Sequence, residues 1–208
     1  MLKKGKIQVY LKVVFFFAAI IFAVAFTFAN DQGNLLTKAE FGDWAEYSVT
    51  RENKTIPLMG FKDQKRWRTV STVDESNVRI DEYFMMGGSR TGGLGRLVPL
   101  NKPFEPISGL AETATITVVS ESAETLTLAG KSFACTKIQR TINQPVNDDK
   151  LQTKWVGTST IWICPDVPLG GLVKMENNYE DQLNSSIEAN KIVETWVLTD
   201  FGFKNWKE

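Results

Sequence analysis

Short runs of alternating residues, separated by turn-forming residues, constrain the fold of this chain more than any other feature. At residues 114–121 and 124–129, threonines alternate with aliphatic residues such as Ile116 and Leu126. A side-chain period of two is that of a β-strand, and the three-to-four-residue spacing of amphipathic helices is scarce after residue 40. The pattern therefore predicts an all-β or β-dominated domain.

Similar runs recur along the rest of the chain and predict roughly ten antiparallel strands with few helices. A closed barrel, an incomplete barrel (half-barrel) and a two-sheet β-sandwich all fit this set of strands, because periodicity does not report how a sheet curls. We take the incomplete barrel as the first expectation and the sandwich as the alternative. The predicted strands are residues 44–51, 66–73, 78–86, 96–100, 114–121, 124–129, 133–141, 153–164, 172–176 and 192–203.

The first 29 residues have the three-part layout of an export signal. Four lysines precede an apolar run from Val13 to Phe28, and the small residues Thr27 and Ala29 stand before the polar Asn30. This layout predicts a signal peptide at residues 1–29 followed by a single β domain at residues 30–208. The alternative is a retained membrane anchor. Either way, we expect export to the periplasm or the cell exterior.

Charge and composition exclude several functions. Without residues 1–29 the chain keeps 20 basic and 24 acidic residues, a net charge of −4, so we expect no nucleic-acid partner. The sequence contains no histidine, which removes Ser–His and Cys–His nucleophiles and imidazole metal ligands. Adjacent acids such as Asp81 and Glu82 would lie on opposite faces of a strand. We expect no catalytic residue, cofactor or metal.

The densest basic cluster lies at residues 62–68 and includes Arg66 and Arg68 around Trp67. Alternation along a strand puts the two arginines on one face and Trp67 on the other. We interpret the basic residues as the solvent face, with Trp67 turned inward.

The two cysteines, Cys135 and Cys164, lie near the ends of two predicted strands. If these strands form a hairpin with an even-length turn near residues 147–150, both side chains point to the same face as opposite or diagonal neighbours. In an exported protein this geometry predicts a disulfide; the alternative is two buried thiols.

Several tryptophans alternate with neighbouring residues on predicted strands. Trp67, Trp155, Trp162 and Trp196 are candidates to line a cavity for an acyl chain or another apolar ligand. The alternative for each is packing in a small β core.

A sharp corner is predicted between the strands at residues 153–164 and 172–176. Pro165 and Pro168 cannot donate backbone hydrogen bonds, so strand pairing must stop there. Gly170 and Gly171 can adopt positive φ and let the chain reverse.

Four motifs resemble those of a class of exported bacterial β proteins of uncharacterised function. They are Gly42-Asp-Trp-Ala-Glu-Tyr47, Gly130-Lys-Ser-Phe-Ala-Cys135, the segment from Trp162 to Lys174, and Leu198-Thr-Asp-Phe-Gly202. The pattern is similar to that of half-barrel proteins related to the periplasmic lipoprotein carriers (LolA/LolB-like). The resemblance implies an incomplete barrel around an apolar cavity.

These observations give three functional hypotheses. The first is an exported, non-enzymatic domain that binds an apolar or amphiphilic, lipid-like ligand in a half-barrel cavity, with membrane contact only through an uncleaved signal segment. The second is a structural domain that meets an envelope protein through a sheet edge. The third is an envelope hydrolase without histidine, which carboxylates converging in a cleft would favour.

Overall fold

The computed structural model describes residues 34–204, apart from the side chain of Leu94, so the predicted signal peptide lies outside the described residues. Nine strands and four short 3-10 helices are present in this range. The strands are β1 (Trp44–Asn53), β2 (Phe61–Val73), β3 (Asn77–Met86), β4 (Ser89–Pro99), β5 (Thr115–Leu128), β6 (Lys131–Gln144), β7 (Lys154–Ile163), β8 (Leu172–Gln182) and β9 (Asn190–Gly202). The 3-10 helices are Leu35–Lys38, Pro57–Met59, Asp148–Lys150 and Leu169–Gly171.

A single sheet contains all nine strands, in the order β4-β3-β2-β1-β9-β8-β7-β6-β5. Strands β1 to β4 form one antiparallel meander, β5 to β9 form another, and β1 pairs with β9 to join them. The edge strands β4 and β5 do not pair with each other, so the sheet stays open. This arrangement confirms the incomplete barrel and is not the two-sheet sandwich.

The difference between nine strands and the expected ten arises at β5. Residues 114–121 and 124–129 were expected to be two strands, but they form one strand in which Ser122 and Ala123 pair with Lys137 and Thr136 of β6. A Ser-Ala pair offers neither the positive φ of glycine nor the fixed φ of proline that a tight turn uses. The ladder therefore continues, with one irregularity between Val118 and Ser120.

Residues 100–114, here called the crossing loop, connect the two edges of the sheet. Arg96 on β4 donates to the Glu105 carbonyl at 2.7 Å, and Arg140 on β6 donates to the Glu105 carboxylate. Seven strand spacings of about 4.8 Å would separate β4 from β6 by roughly 34 Å in a flat sheet. Since both strands contact one residue, the sheet curls around the crossing loop.

The face that contacts the crossing loop is called the inner face. Its buried apolar residues include Tyr47, Val49, Ile142 and Met175, each at most 1% exposed. Arg68 and Asn177 are also buried, at 2% and 3% exposure. The inner face is thus an apolar core with charged and polar residues set into it. No helix within residues 34–204 has the length and apolarity to span a bilayer.

Candidate functional site

A cavity of about 240 Å³, here called the central cavity, lies between the inner face and the crossing loop. Its wall comes from strands β1, β2, β3, β7, β8 and β9, and residues 106–109 of the crossing loop form its cover. Its lining residues are Arg51, Arg66, Arg68, Glu82, Pro106, Ile107, Ser108, Gly109, Thr153, Trp155, Met175, Asn177, Tyr179, Asp181, Glu194 and Trp196.

Two arginines and one glutamate form a positive end of the central cavity. Arg66 and Arg68 are two residues apart on β2 and therefore share a face. Arg66 Nη1 lies 3.2 Å from Glu82 Oε1, and Arg68 Nε lies 3.0 Å from Glu82 Oε2. Burial opposes ionisation of Glu82, but the Arg68 and Arg66 guanidiniums outweigh it and hold its pKa below the usual range. Two cations with one anion leave a net positive charge here.

The part of the cavity wall formed by β8 and the start of β9 is negative. Glu194 pairs in register with Asn177, and both are buried. Asp181, on the same face of β8, has its Oδ2 3.7 Å from Arg51 Nη2. Burial raises the pKa of Asp181, and Arg51 offsets this effect in part. Two carboxylates with one arginine leave a net negative charge at this end.

Trp196 links the two ends. The Arg68 guanidinium lies 4.6 Å from the centroid of the Trp196 ring and that of Arg66 lies 5.0 Å away, both within cation–π distance. The indole Nε1 of Trp196 donates to Glu194 Oε1 at 2.8 Å. One ring therefore contacts cations through its face and an anion through its edge, which fixes the orientation of all of them.

An aromatic pair forms a third side of the cavity. The rings of Trp155 on β7 and Tyr179 on β8 stack with centroids 4.3 Å apart and planes inclined by 8°. Burial raises the pKa of Tyr179 further above its ordinary value, and the Glu194 carboxylate adds to this effect. The phenol is therefore neutral at physiological pH, and the pair presents an apolar surface.

Three polar atoms in cavity-lining side chains have no hydrogen-bond partner among the described residues. They are the donors Arg68 Nη1 and Arg51 Nε and the acceptor Asn177 Oδ1. An unsatisfied buried polar group costs roughly 1–3 kcal/mol, and more when it is charged. The described residues therefore leave two donors and one acceptor of the cavity wall unsatisfied.

The crossing loop is fastened over the cavity by arginines from three strands. Arg68 Nη2 donates to the Pro106 carbonyl at 2.9 Å, and Arg96 Nη1 donates to the Ile107 carbonyl at 3.4 Å. Arg140 binds the Glu105 carboxylate through both terminal nitrogens, at 2.6 and 2.9 Å. Burial, together with the nearby Arg68 charge, lowers the pKa of Arg96 to about 10, so it stays charged at neutral pH.

The four candidate tryptophans do not all lie at the same site. Trp155 and Trp196 line the central cavity, whereas Trp67 and Trp162 do not. Trp67 lies on the opposite face of β2 and donates to Glu46 Oε2 at 2.7 Å. Trp162 is buried on the outer face between the ammonium groups of Lys137 and Lys174, at 5.2 and 4.8 Å from its ring centroid.

The interpretation of the basic cluster as a solvent face was wrong for Arg66 and Arg68. The alternation itself is as expected, but the two arginines point inward and Trp67 points outward. The physical reason is Glu82, whose carboxylate binds both guanidiniums and makes their burial tolerable. Glu82, which looks like a surface carboxylate in the sequence, therefore lies in the cavity. The adjacent Asp81 lies on the outer face of β3, so the two acids are on opposite faces, as expected.

The corner residues meet the crossing loop. Strand β7 stops at Ile163, the Cys164 amide donates to the Gly171 carbonyl at 2.8 Å, and β8 begins at Leu172. Gly170 has φ of 79° and Gly171 has φ of 77°. A Cβ atom on Gly170 would lie 2.1 Å from the Phe104 ring, so the absence of a side chain leaves room for the crossing loop.

Both cysteines are free, buried thiols, so the structure corrects the predicted disulfide. The β6–β7 ladder ends at the pair Thr136–Ile163, one position before Cys135 and Cys164 would face each other. Beyond it the chain leaves the ladder, because the Cys164 amide turns towards Gly171. Burial raises the pKa of the Cys135 thiol to about 11, with a contribution from the neighbouring Cys164.

Three carboxylates, from Glu82, Asp181 and Glu194, converge on the cavity, the arrangement that the hydrolase hypothesis requires. Each already contacts a donor: Glu82 binds two arginines, Asp181 faces Arg51, and Glu194 accepts from Trp196. The cavity is also charged rather than apolar, unlike the cavity expected from sequence. Within residues 34–204, no cluster of acidic and cysteine side chains is placed to hold a metal ion.

No protein-family model matches this chain, and no curated protein matches it. Two solved structures are similar in shape. A candidate lipoprotein from Parabacteroides distasonis has 11% identity and a TM-score of 0.40, over 78% of this chain and 96% of that one. A candidate exported protein with a YmcC-like fold from Bacteroides fragilis has 14% identity and a TM-score of 0.39, over 79% of this chain and 97% of that one. At these values the likenesses say nothing about function, and the similarity to the lipoprotein carriers stays a prediction.

Proposed function

We propose that the protein is an exported, non-enzymatic binding domain of the bacterial envelope that holds a small amphiphilic molecule in the central cavity. The observation that carries this function is the set of unsatisfied polar atoms on a wall that also contains a stacked aromatic pair. Polar atoms that converge beside an apolar surface are typical of ligand sites. Export is supported by the lysines and apolar run of residues 1–29.

The size of the cavity favours a small molecule over a whole lipid. Cavities for drug-sized ligands have about 300–1,000 Å³, and the central cavity has about 240 Å³. At about 30 Å³ each, this is room for roughly eight water molecules. To make room for a whole lipid, the crossing loop that covers the cavity would have to move away, which would break the Arg140–Glu105 pair. We therefore narrow the lipid-like ligand of the first hypothesis to a small amphiphile.

Native mass spectrometry of protein purified from exporting cells tests this function. We expect a near-stoichiometric adduct of low mass that organic extraction releases. An adduct with the mass of a phospholipid would refute the small-ligand form of the proposal. Protein without any adduct, in a preparation in which the cavity also takes up no added small molecule, would refute ligand binding altogether.

A second candidate function, a protein-interaction domain, is favoured by the exposed edge strand β5. Ile116, Val118 and Val119 on this strand are 40%, 52% and 66% exposed. An unpaired edge with exposed aliphatic residues can add a strand from another protein. A photo-crosslinker at Val119 in living cells tests this candidate, with one at exposed Glu75 as the control. A cross-linked product at Val119 alone would support it, and equal products at both positions would refute it.

A further inference from the structure

The two ends of the central cavity carry opposite net charge, and each contains buried polar atoms without a hydrogen-bond partner among the described residues. The positive end, Arg66 and Arg68 around Glu82, has the unpartnered donor Arg68 Nη1. The negative end, around Glu194 and Asp181, has the unpartnered acceptor Asn177 Oδ1. The unpartnered acceptor therefore lies at the negative end, and unpartnered donors lie at both ends, Arg68 Nη1 at the positive one and Arg51 Nε at the negative one.

From this arrangement we propose that the ligand is a small zwitterion, an amino acid or a molecule of the same chemistry. This inference rests on the proposed function and names the ligand class for the same cavity. The carboxylate of the ligand accepts from Arg68 Nη1, and its ammonium group donates to Asn177 Oδ1 beside Glu194. Its apolar side chain packs against the stacked rings of Trp155 and Tyr179.

Burial makes both recognition atoms selective. Arg68 is 2% exposed and Asn177 is 3% exposed, so water competes weakly for either side chain. Hydrogen bonds that involve an ionised group are shorter and stronger than neutral ones. A ligand that lacks either charged group leaves one buried atom unsatisfied, which makes the analogue bind more weakly.

The arginine is also held in place before any ligand arrives. Its Nε binds Glu82, its Nη2 binds the Pro106 carbonyl, and its guanidinium carbon lies 4.6 Å from the centroid of the Trp196 ring. Nη1 is the remaining terminal nitrogen, and no described residue accepts from it. Such pre-organisation reduces the conformational entropy lost on binding.

Charge balance distinguishes a zwitterion from a simple anion or cation. The six charged residues that line the cavity are three arginines, two glutamates and one aspartate, so their formal charges cancel. A bare carboxylate would add negative charge near Glu194 and Asp181, and a bare amine would add positive charge near Arg66 and Arg68. A molecule with both charges leaves the sum unchanged and supplies a partner for both Arg68 Nη1 and Asn177 Oδ1.

Calorimetric titration of the full-length exported protein with matched compounds tests the proposal. The probes are leucine with isocaproate and isoamylamine, and phenylalanine with hydrocinnamate and phenethylamine. In each set the second compound lacks the amino group and the third lacks the carboxylate. We expect at least one amino acid to bind, and both of its analogues to bind about 10-fold more weakly or worse.

Variants on β8 locate the ammonium contact. Asn177→Leu removes the acceptor and keeps a side chain branched at Cγ. Asn178→Leu makes the same change at the neighbouring, exposed residue on the outer face. We expect Asn177→Leu to weaken the amino acid about 10-fold and to leave the deaminated analogue unchanged. Asn178→Leu should match the wild type for both. Circular dichroism confirms that each variant is folded.

The outcomes separate this proposal from the proposed function. The zwitterion proposal is overturned, and cavity binding stands, if an amino acid and its two analogues bind equally. The same conclusion follows if none of the six compounds binds while the purified protein carries an adduct of another chemical class. If no compound binds and the protein carries no adduct, both fail. Should Asn177→Leu fold poorly, the wild-type comparison of the six compounds decides alone.

Discussion

The pair Arg140–Glu105 should fasten the crossing loop, and replacing Glu105 by Gln tests this directly. Both terminal nitrogens of Arg140 bind the Glu105 carboxylate, and the Arg140 side chain is 6% exposed while that of Glu105 is 22% exposed. Removing one partner of a buried ion pair costs about 3–5 kcal/mol, because the other charge is left uncompensated. Since Glu105 keeps some solvent contact, we predict the lower end, about 3 kcal/mol.

Urea unfolding followed by circular dichroism measures this cost. With a slope of roughly 2 kcal/mol per molar, a loss of about 3 kcal/mol lowers the midpoint by roughly 1.5 M. Glu112→Gln is the matched control in the same loop, because Glu112 and its partner Lys102 have side chains 88% and 59% exposed. Exposed pairs contribute about 0–1 kcal/mol. Adding Arg140→Met to Glu105→Gln should recover part of the loss, since it removes the unpaired charge. A midpoint for Glu105→Gln equal to that of Glu112→Gln would refute the account of the loop.

Three further predictions concern the corner, the buried carboxylate and the thiols. Gly170→Ala should unfold at a lower urea concentration than Gly109→Ala. Both glycines have positive φ, but only at Gly170 would an added Cβ lie 2.1 Å from the Phe104 ring. Equal midpoints would contradict the packing of Phe104 there. The pKa of Glu82 is held below its ordinary 4.5, so its contribution to stability is present above that pH and is lost as the pH falls through the folded-state pKa. Glu82→Gln should therefore flatten the loss of stability below about pH 4.5 in acid titrations of unfolding, and an unchanged acid limb would refute this. The intact mass should be that of a protein with two reduced cysteines. Both thiols should react slowly with an alkylating reagent at pH 8 until the protein is denatured, because burial raises the pKa of Cys135 to about 11. A mass two hydrogens lower would restore the disulfide.

The strands were predictable because their signal is local. Alternation in residues 44–51 and 192–203 located β1 and β9 within a few residues, and the Pro-Gly corner marked the end of β7. The pairing of β1 with β9 joins segments about 140 residues apart. No local pattern specifies such a contact, because it depends on which surfaces pack together after the strands form.

The candidate site was predictable only in part for a different reason. Trp155 and Trp196 stood out as large side chains on strands, but alternation gives the two faces of a strand without saying which is inside. Charge usually decides that question, and Arg66 and Arg68 are exceptions because the carboxylate of Glu82 on the next strand binds both guanidiniums. The cover of the cavity, residues 106–109, has no periodic signal at all. Its position depends on Arg68 and Arg96, which bind its backbone, and on Arg140, which binds the adjoining Glu105.

A crystal structure of the protein as purified from exporting cells, with no ligand supplied, would test the central claim most directly. The account predicts electron density for a small organic molecule in the central cavity, within hydrogen-bonding distance of Arg68 Nη1 and Asn177 Oδ1. Repeating the experiment after denaturation, extraction and refolding should remove that density. A cavity that contains separate ordered water molecules in both crystals, each satisfying Arg68 or Asn177, would contradict the claim that this fold binds a ligand there.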